Sequence, residues 1–210
     1  LSLGLLHSDT DYQFDGSASP NPLKLTKANT DARAYSTLNN LSAQWQAQWL
    51  PNWKSTLAFG IAEDQSVTKY FRSTDGAFGG SGKFNTRRNQ ASWQNDVNFG
   101  SDVLSFAIEQ RREEVDSSMN YSVKARDLMG AMLSYALRTG DWSALAVLRT
   151  DHNSQFGSHT NWSLSGGYQF TPDWRAVLSS GTSFQAPSFN QLYYPGFGNA
   201  ALTPQQNQSN

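Results

Sequence analysis

The chain has 210 residues, a net charge of −1 and no cysteine. The missing thiols exclude disulfides, zinc–thiolate sites and thiol catalysis, and the balanced charge is unlike the basic surface of a nucleic-acid-binding protein, so no nucleic-acid partner is expected. No apolar run approaches the roughly 20 residues of a transmembrane helix, so any membrane contact must be made by strands. No signal peptide is visible in the sequence, and its abrupt ends at Leu1 and Asn210 predict that the chain was cut from a longer polypeptide.

The strongest pattern along the chain is an alternation of apolar and polar residues with a period of two. It begins in a segment whose odd positions are apolar and whose even positions are polar: Leu41, Ala43, Trp45, Ala47 and Trp49 against Ser42, Gln44, Gln46 and Gln48. Successive side chains of a strand point to opposite faces, so this segment is predicted to be a strand with one apolar face and one amide-rich face.

The same unit recurs to the end of the chain, and its connections alternate between short and long. Short connections lie around Pro51, Ser101, Gly140 and Pro172, and long polar ones cover residues 9–31, 63–83, 112–124 and 151–160. Outer-membrane barrels have short periplasmic turns and longer extracellular loops. The pattern therefore predicts an all-β antiparallel transmembrane β-barrel with about nine or ten strands in this chain.

Large rings accompany all four short connections. They are Trp49, Trp53, Phe99, Trp142, Phe170 and Trp174. Aromatic residues gather at the two membrane interfaces of a barrel, so we expect these six to form an interfacial girdle at the periplasmic end. The alternative is that they are the cross-strand aromatic pairs of ordinary hairpins.

The last third of the chain carries a more specific motif. Residues 181–188 read Gly-Thr-Ser-Phe-Gln-Ala-Pro-Ser, followed by Leu-Tyr at 192–193, Gly-Asn at 198–199 and Leu-Thr-Pro at 202–204. Together with Arg149, Asp151 and the segment 153–157, this resembles the family of TonB-dependent outer-membrane receptors, and within it the cobalamin receptors. Gln205 departs from the motif, because the family usually has a glutamate there.

The resemblance implies a function for the whole protein. Such a receptor has roughly 22 strands around a plug domain, lies in the outer membrane of a Gram-negative bacterium, and takes up its ligand when the plug contacts the TonB energy-transducing complex. Residues 1–210 would then be part of the barrel domain, in contact with the lipid bilayer, and the plug would be absent from this chain. The ligand that the resemblance suggests is cobalamin.

Two groups of residues are candidate sites. The side chains of Asp9, Asp11 and Asp15 are predicted to lie in the first long loop and suit Ca²⁺ as hard oxygen ligands. Their spacing fits no regular calcium loop and Gln13 interrupts it, which favours the alternative of a solvated acidic loop. Calcium-assisted binding by cobalamin receptors suggests the same ion. A second loop carries rings at 193, 194 and 197, which offer stiff contact area for a flat macrocycle. These three residues are Tyr193, Tyr194 and Phe197, and the alternative is that they only pack the loop against the barrel rim.

Three other functions stay open at this point. A siderophore or haem receptor of the same family would share every feature above. An outer-membrane enzyme, such as a barrel lipase, needs a serine and a histidine to converge at one rim, and no predicted strand brings them together. A soluble sugar-binding β-sandwich would bury its tryptophan rows between two sheets.

Overall fold

The computed structural model describes residues 1–15, 30–72 and 75–209, without the side chains of residues 15 and 30. Ten strands and one short helix make up these residues. They are β1 (Ser2–Asp15), β2 (Thr30–Leu50), β3 (Trp53–Arg72), β4 (Phe78–Phe99), β5 (Asp102–Ser117), β6 (Ala125–Thr139), β7 (Trp142–Asn153), β8 (Gly157–Thr171), β9 (Trp174–Gln185), α1 (Phe189–Tyr193) and β10 (Gln205–Ser209).

All ten strands form one antiparallel sheet in which each strand pairs with its neighbours in sequence. The all-β, meandering organisation predicted from the sequence is confirmed. The soluble β-sandwich is wrong, because the described strands form one sheet and the tryptophan rows lie exposed on it. No helix within the described residues is long and apolar enough to span a bilayer.

The register places the apolar positions of neighbouring strands side by side. Trp45 lies opposite Leu57, Leu57 opposite Trp93, and Trp93 opposite Ile108. Partners in register point to the same side of a sheet, so these residues form one continuous surface, which we call the apolar face. The opposite surface, with the even positions of β2 to β4 and the odd positions of β5, is the polar face.

The strands extend further than the alternation predicted. β3 continues to Arg72 and β4 begins at Phe78, so most of the long polar connection expected at 63–83 is strand, including its glycine-rich part. The connection between β7 and β8 is only three residues long, at 154–156. Beyond residue 63 the alternation of apolar and polar residues becomes irregular, while the backbone hydrogen-bond ladder between β3 and β4 continues.

The four tight turns are confirmed, each with two residues between paired strands. Gly100 and Gly140 occupy the first turn position with φ of 64° and 56°. The turn types that best match the twist of a two-residue hairpin need a positive φ at this position, which glycine adopts without strain.

The four tight turns lie along one edge of the sheet, which we call the turn edge. A small polar network lies within the apolar face near this edge. Trp53 donates its indole N–H to Asn95 Oδ1 (3.0 Å), and Trp93 donates to Ser55 Oγ (2.9 Å), which in turn donates to Asn95 Oδ1 (2.6 Å). Ser55 is only 2% exposed. The two polar residues at apolar positions therefore satisfy two indole donors that an apolar surface would leave without an acceptor.

Candidate functional site

The six predicted girdle residues lie at the turn edge of the apolar face, and all are exposed. Trp49 contacts Trp53, with ring centroids 6.4 Å apart, and Tyr168 lies between Trp142 (4.6 Å) and Phe170 (4.8 Å). Some of these rings are thus also cross-strand neighbours, so the two interpretations offered by the sequence are compatible.

The predicted calcium ligands lie in a strand rather than a loop, which corrects the sequence-based placement. Asp9 and Asp11 are in β1, opposite Thr37 and Tyr35. Asp9 already accepts a hydrogen bond from Thr37 Oγ1 (2.7 Å) and pairs with His7 Nε2 (3.0 Å). The side chain of Asp15 lies outside the described residues.

This arrangement does not form a calcium cage in the part of the chain that the structure describes. Calcium takes six to eight oxygen ligands, and no group of three or more acidic or histidine side chains is placed to share an ion there. The calcium site stays a prediction.

A serine and a histidine do meet on the sheet, contrary to the expectation from the predicted strands. His152 Nδ1 lies 3.0 Å from Ser158 Oγ, across the turn between β7 and β8. Within the described ranges no carboxylate lies within ion-pair distance of His152, so the group that would orient a catalytic imidazole is missing from this pair.

The predicted ligand-contact rings lie in a folded segment between β9 and β10, which we call the latch segment (residues 186–199). Its helix α1 begins at a capping box: Ser188 Oγ accepts from Gln191 N (3.2 Å), and Gln191 Oε1 accepts from Ser188 N (2.8 Å). After the helix the chain folds back, because Gly198 N donates to Tyr194 O. A Cβ at Gly198 would lie 2.6 Å from Tyr194 N, so only glycine allows this return.

The latch segment packs against the polar face rather than projecting from the sheet. Phe189 is buried with Val115 of β5 and with Tyr121 of the β5–β6 connection. Tyr121 donates its hydroxyl to Asn190 Oδ1 (2.6 Å). Burial, with a smaller contribution from Tyr194, raises the pKa of Tyr121, which keeps this hydroxyl a donor.

An arginine from β6 provides the second anchor. Arg126 donates to the carbonyl oxygen of Pro187 (2.9 Å), its guanidinium lies 5.0 Å from the centre of the Phe189 ring, and it pairs with Glu113 (2.7 Å). Its side chain is 10% exposed and that of Glu113 is 17% exposed. One residue of the sheet thus contacts the latch segment in two different ways, and an ion pair with a neighbouring strand fixes its own position.

The three predicted ring residues therefore have different environments. Tyr193 and Tyr194 are partly buried against the cluster around Tyr121, and the Tyr194 ring lies 6.2 Å from that of Tyr121. Phe197 is 89% exposed, with its ring 5.9 Å from Tyr194. Tyr194 packs against the wall on one side and against the exposed ring on the other, so the packing alternative accounts for the tyrosines but not for Phe197.

A charged cluster surrounds the latch anchor on the polar face. Glu113 lies within 3.9 Å of arginines on three strands, and Arg149 lies 3.8 Å from Glu109 and 2.7 Å from Asp151. Its members are Arg88, Glu109, Arg111, Glu113, Arg126, Arg149 and Asp151. The alternation pattern did not predict this cluster, although the two-residue spacing of Arg111 and Glu113 within β5 already places both side chains on one face.

The family comparison accounts for the sheet. Residues 2–209 match the family described as TonB dependent receptor-like, beta-barrel. The chain therefore belongs to this receptor family, as the motif at residues 181–204 predicted.

Two individual proteins are also similar to this chain. The chain is 29% identical over 180 residues to the vitamin B12 transporter BtuB of Photobacterium profundum, covering 85% of this chain and 28% of that protein. It also resembles the crystal structure of the siderophore receptor PirA from Pseudomonas aeruginosa, with a TM-score of 0.53 and 15% identity, over 95% of this chain and 47% of that one. The second likeness supports the barrel fold alone. The chain spans little more than a quarter of the length of the curated relative.

Proposed function

We propose that this chain is part of the barrel wall of an outer-membrane receptor that binds and takes up cobalamin. The observation that carries the proposal is the ring pair of Tyr194 and Phe197, fixed beside the polar face by a latch segment that the wall itself holds. The 29% identity to a vitamin B12 transporter supports the choice of ligand. The proposed role is binding and transport, without catalysis.

Under this proposal the apolar face and the polar face of the sheet lie in different environments. The apolar face contacts lipid, with the six rings of the turn edge at the periplasmic interface. The polar face encloses the lumen, where a plug domain elsewhere in the full receptor would lie and connect to the TonB energy-transducing complex. Large rings such as Phe197 offer rigid contact area to a flat macrocycle such as the corrin ring.

A ferric siderophore or haem is the second candidate ligand. The charged cluster on the polar face combines four arginines with three carboxylates, and its arginine Arg88 is half exposed. A surplus of positive charge would favour an anionic chelate through charge-assisted hydrogen bonds.

The test is equilibrium binding to the purified full-length receptor in detergent. We expect cyanocobalamin to bind, and the variants Tyr194→Ala and Phe197→Ala to weaken binding by about tenfold, since stacking on a ring contributes about 1–3 kcal/mol. Phe78→Ala is the matched control, because Phe78 is an exposed ring at the start of β4, outside the latch segment.

Three results are informative. Selective loss of cobalamin affinity in the two latch variants supports the proposal. Saturable binding of a ferric siderophore or haem, with no binding of cobalamin, would transfer the proposal to the second candidate. Wild-type cobalamin affinity in both latch variants would remove the ring pair from the ligand site.

A further inference from the structure

The latch segment is attached to the wall by contacts between residues far apart in the sequence. Arg126 and Pro187 are separated by 61 residues, and Tyr121 and Asn190 by 69. A segment ordered by such contacts has a position that depends on a few side chains, because its own helix has only five residues and is too short to be stable alone.

The two anchors hold different parts of the latch segment. Arg126 fixes the entry to α1 at Pro187, and its position is fixed in turn by the ion pair with Glu113. Tyr121 holds the helix itself through Asn190, and its ring supports Tyr194. Tyr194 then lies between this buried support and the exposed ring of Phe197. A continuous series of contacts therefore runs from β5 and β6 to the proposed ligand-contact ring.

We infer that Tyr121 and Arg126 are positioning residues that hold the Tyr194–Phe197 ring pair in place before the ligand arrives. The inference rests on the proposed function and deepens it, since it names residues outside the ligand site that set ligand affinity. Fixing a loop in its binding geometry removes the cost of ordering it during association. Loss of the anchors should leave the wall intact, release the rings and weaken ligand binding.

The experiment first measures the position of the latch segment without ligand. The full-length receptor, with any native cysteines replaced, receives spin labels at Ala200→Cys, which is exposed just beyond the latch segment, and at Ser81→Cys, which is exposed in β4. Double electron–electron resonance then gives the distribution of distances between the labels. We expect a narrow distribution in the otherwise unchanged receptor and a broad one when Tyr121→Phe and Arg126→Met are combined.

Arg112→Met is the matched control. Arg112 precedes Glu113 in β5, points to the other face and forms ion pairs with Glu114 (2.8 Å) and Asp127 (3.0 Å), which lie outside the latch segment. Removing it deletes two ion pairs, one more than Arg126 makes, without touching the latch segment, so the label distances should stay unchanged. Resistance of the barrel to unfolding in sodium dodecyl sulfate without heating verifies that each variant is folded.

The second measurement is the affinity of the unlabelled receptors for cyanocobalamin. We expect the double variant to bind about tenfold more weakly, Arg112→Met to match the wild type, and Arg126→Lys to recover part of the affinity because it keeps the charge beside Glu113. A receptor that binds no cobalamin would refute the proposed function, and the label distances would still decide whether the anchors hold the latch. Unchanged distances in the folded double variant, or released rings with wild-type affinity, would overturn the inference.

Discussion

The turn edge of the apolar face and the latch region of the polar face both bury polar groups, but they do so in different ways. At the turn edge, Ser55 and Asn95 accept from indoles on the same two neighbouring strands, through neutral hydrogen bonds. At the latch, a guanidinium and a carboxylate join two strands to a segment some 60 residues later in the chain.

The two groups of contacts therefore have different roles in the structure. The neutral network follows from hairpin pairing and only satisfies donors that the sheet already places. The ionic anchor decides where a non-regular segment lies, and with it the proposed ligand contacts. Charge at the latch should therefore matter more to stability and to binding than any single polar group at the turn edge.

The largest expected effect comes from removing the carboxylate at the latch. Glu113→Gln leaves Arg126 and its neighbours without their shared counter-ion, and should lower the free energy of unfolding by about 3 kcal/mol, as for other buried pairs that lose one partner. Glu114→Gln, one residue later on the opposite face, should cost under about 1 kcal/mol, because it is exposed and Arg112 keeps Asp127. Guanidinium unfolding in detergent measures both, and equal losses would contradict the contrast between the faces.

The turn-edge network should give the next largest effect. Asn95→Leu removes the acceptor of Trp53 and of the buried Ser55 hydroxyl, and should cost about 2 kcal/mol, typical of a buried donor left without a partner. Asn98→Ala, an exposed position on the same strand, serves as the control in the same unfolding measurement. A loss no greater than that of the control would show that the indole donors need no protein acceptor.

The tight turns test local geometry alone. Gly140→Ala places a side chain at φ +56° and should cost about 1 kcal/mol, because the left-handed region is unfavourable for residues with a Cβ. Gly60→Ala in β3, where an added Cβ meets no atom within 4 Å, should be neutral or stabilising. Thermal unfolding of the two variants distinguishes them, and a reversed order would contradict the turn assignment.

The Tyr121 anchor predicts a dependence on alkaline pH. Because burial raises the pKa of Tyr121, its protonated form is favoured in the folded state. The stabilisation is complete below the ordinary tyrosine value of about 10 and is lost as the pH rises through the higher folded value. Mobility of a label at Ala200 should increase in that alkaline range in the wild type. Tyr121→Phe should lack this titration, and an identical transition in this variant would assign it to another group.

The smallest effect is expected at β1. If calcium assists ligand binding through these carboxylates, then Asp9→Asn and Asp11→Asn should weaken calcium binding in a calorimetric titration of the full receptor. Asp116→Asn, an exposed acid of β5 paired with Lys83, is the control. Calcium affinity equal to that of the wild type in both β1 variants would exclude the site.

The features that the sequence predicted correctly are those that depend on residues close together along the chain. The alternation in residues 41–49 and the turn residues around Pro51 and Gly140 determine strands and hairpins, so these were confirmed. The strand ends near Arg72 and Phe78 were not predicted, because the alternation of apolar and polar residues is irregular there. The sequence also did not predict that Arg126 contacts Pro187 or that Tyr121 contacts Asn190. These contacts depend on how the latch segment folds back over the sheet, which no local pattern encodes.

The central claim is that the sheet has one face toward lipid and one toward a polar lumen. Single spin labels placed along β5 of the full receptor in lipid, from residue 103 to residue 110, test it directly. Collisions with oxygen, which dissolves in lipid, should be frequent at the even positions Leu104, Phe106 and Ile108, while a water-soluble nickel reagent should reach the odd positions more readily. Equal accessibility on both sets of positions, or the opposite order, would contradict the account.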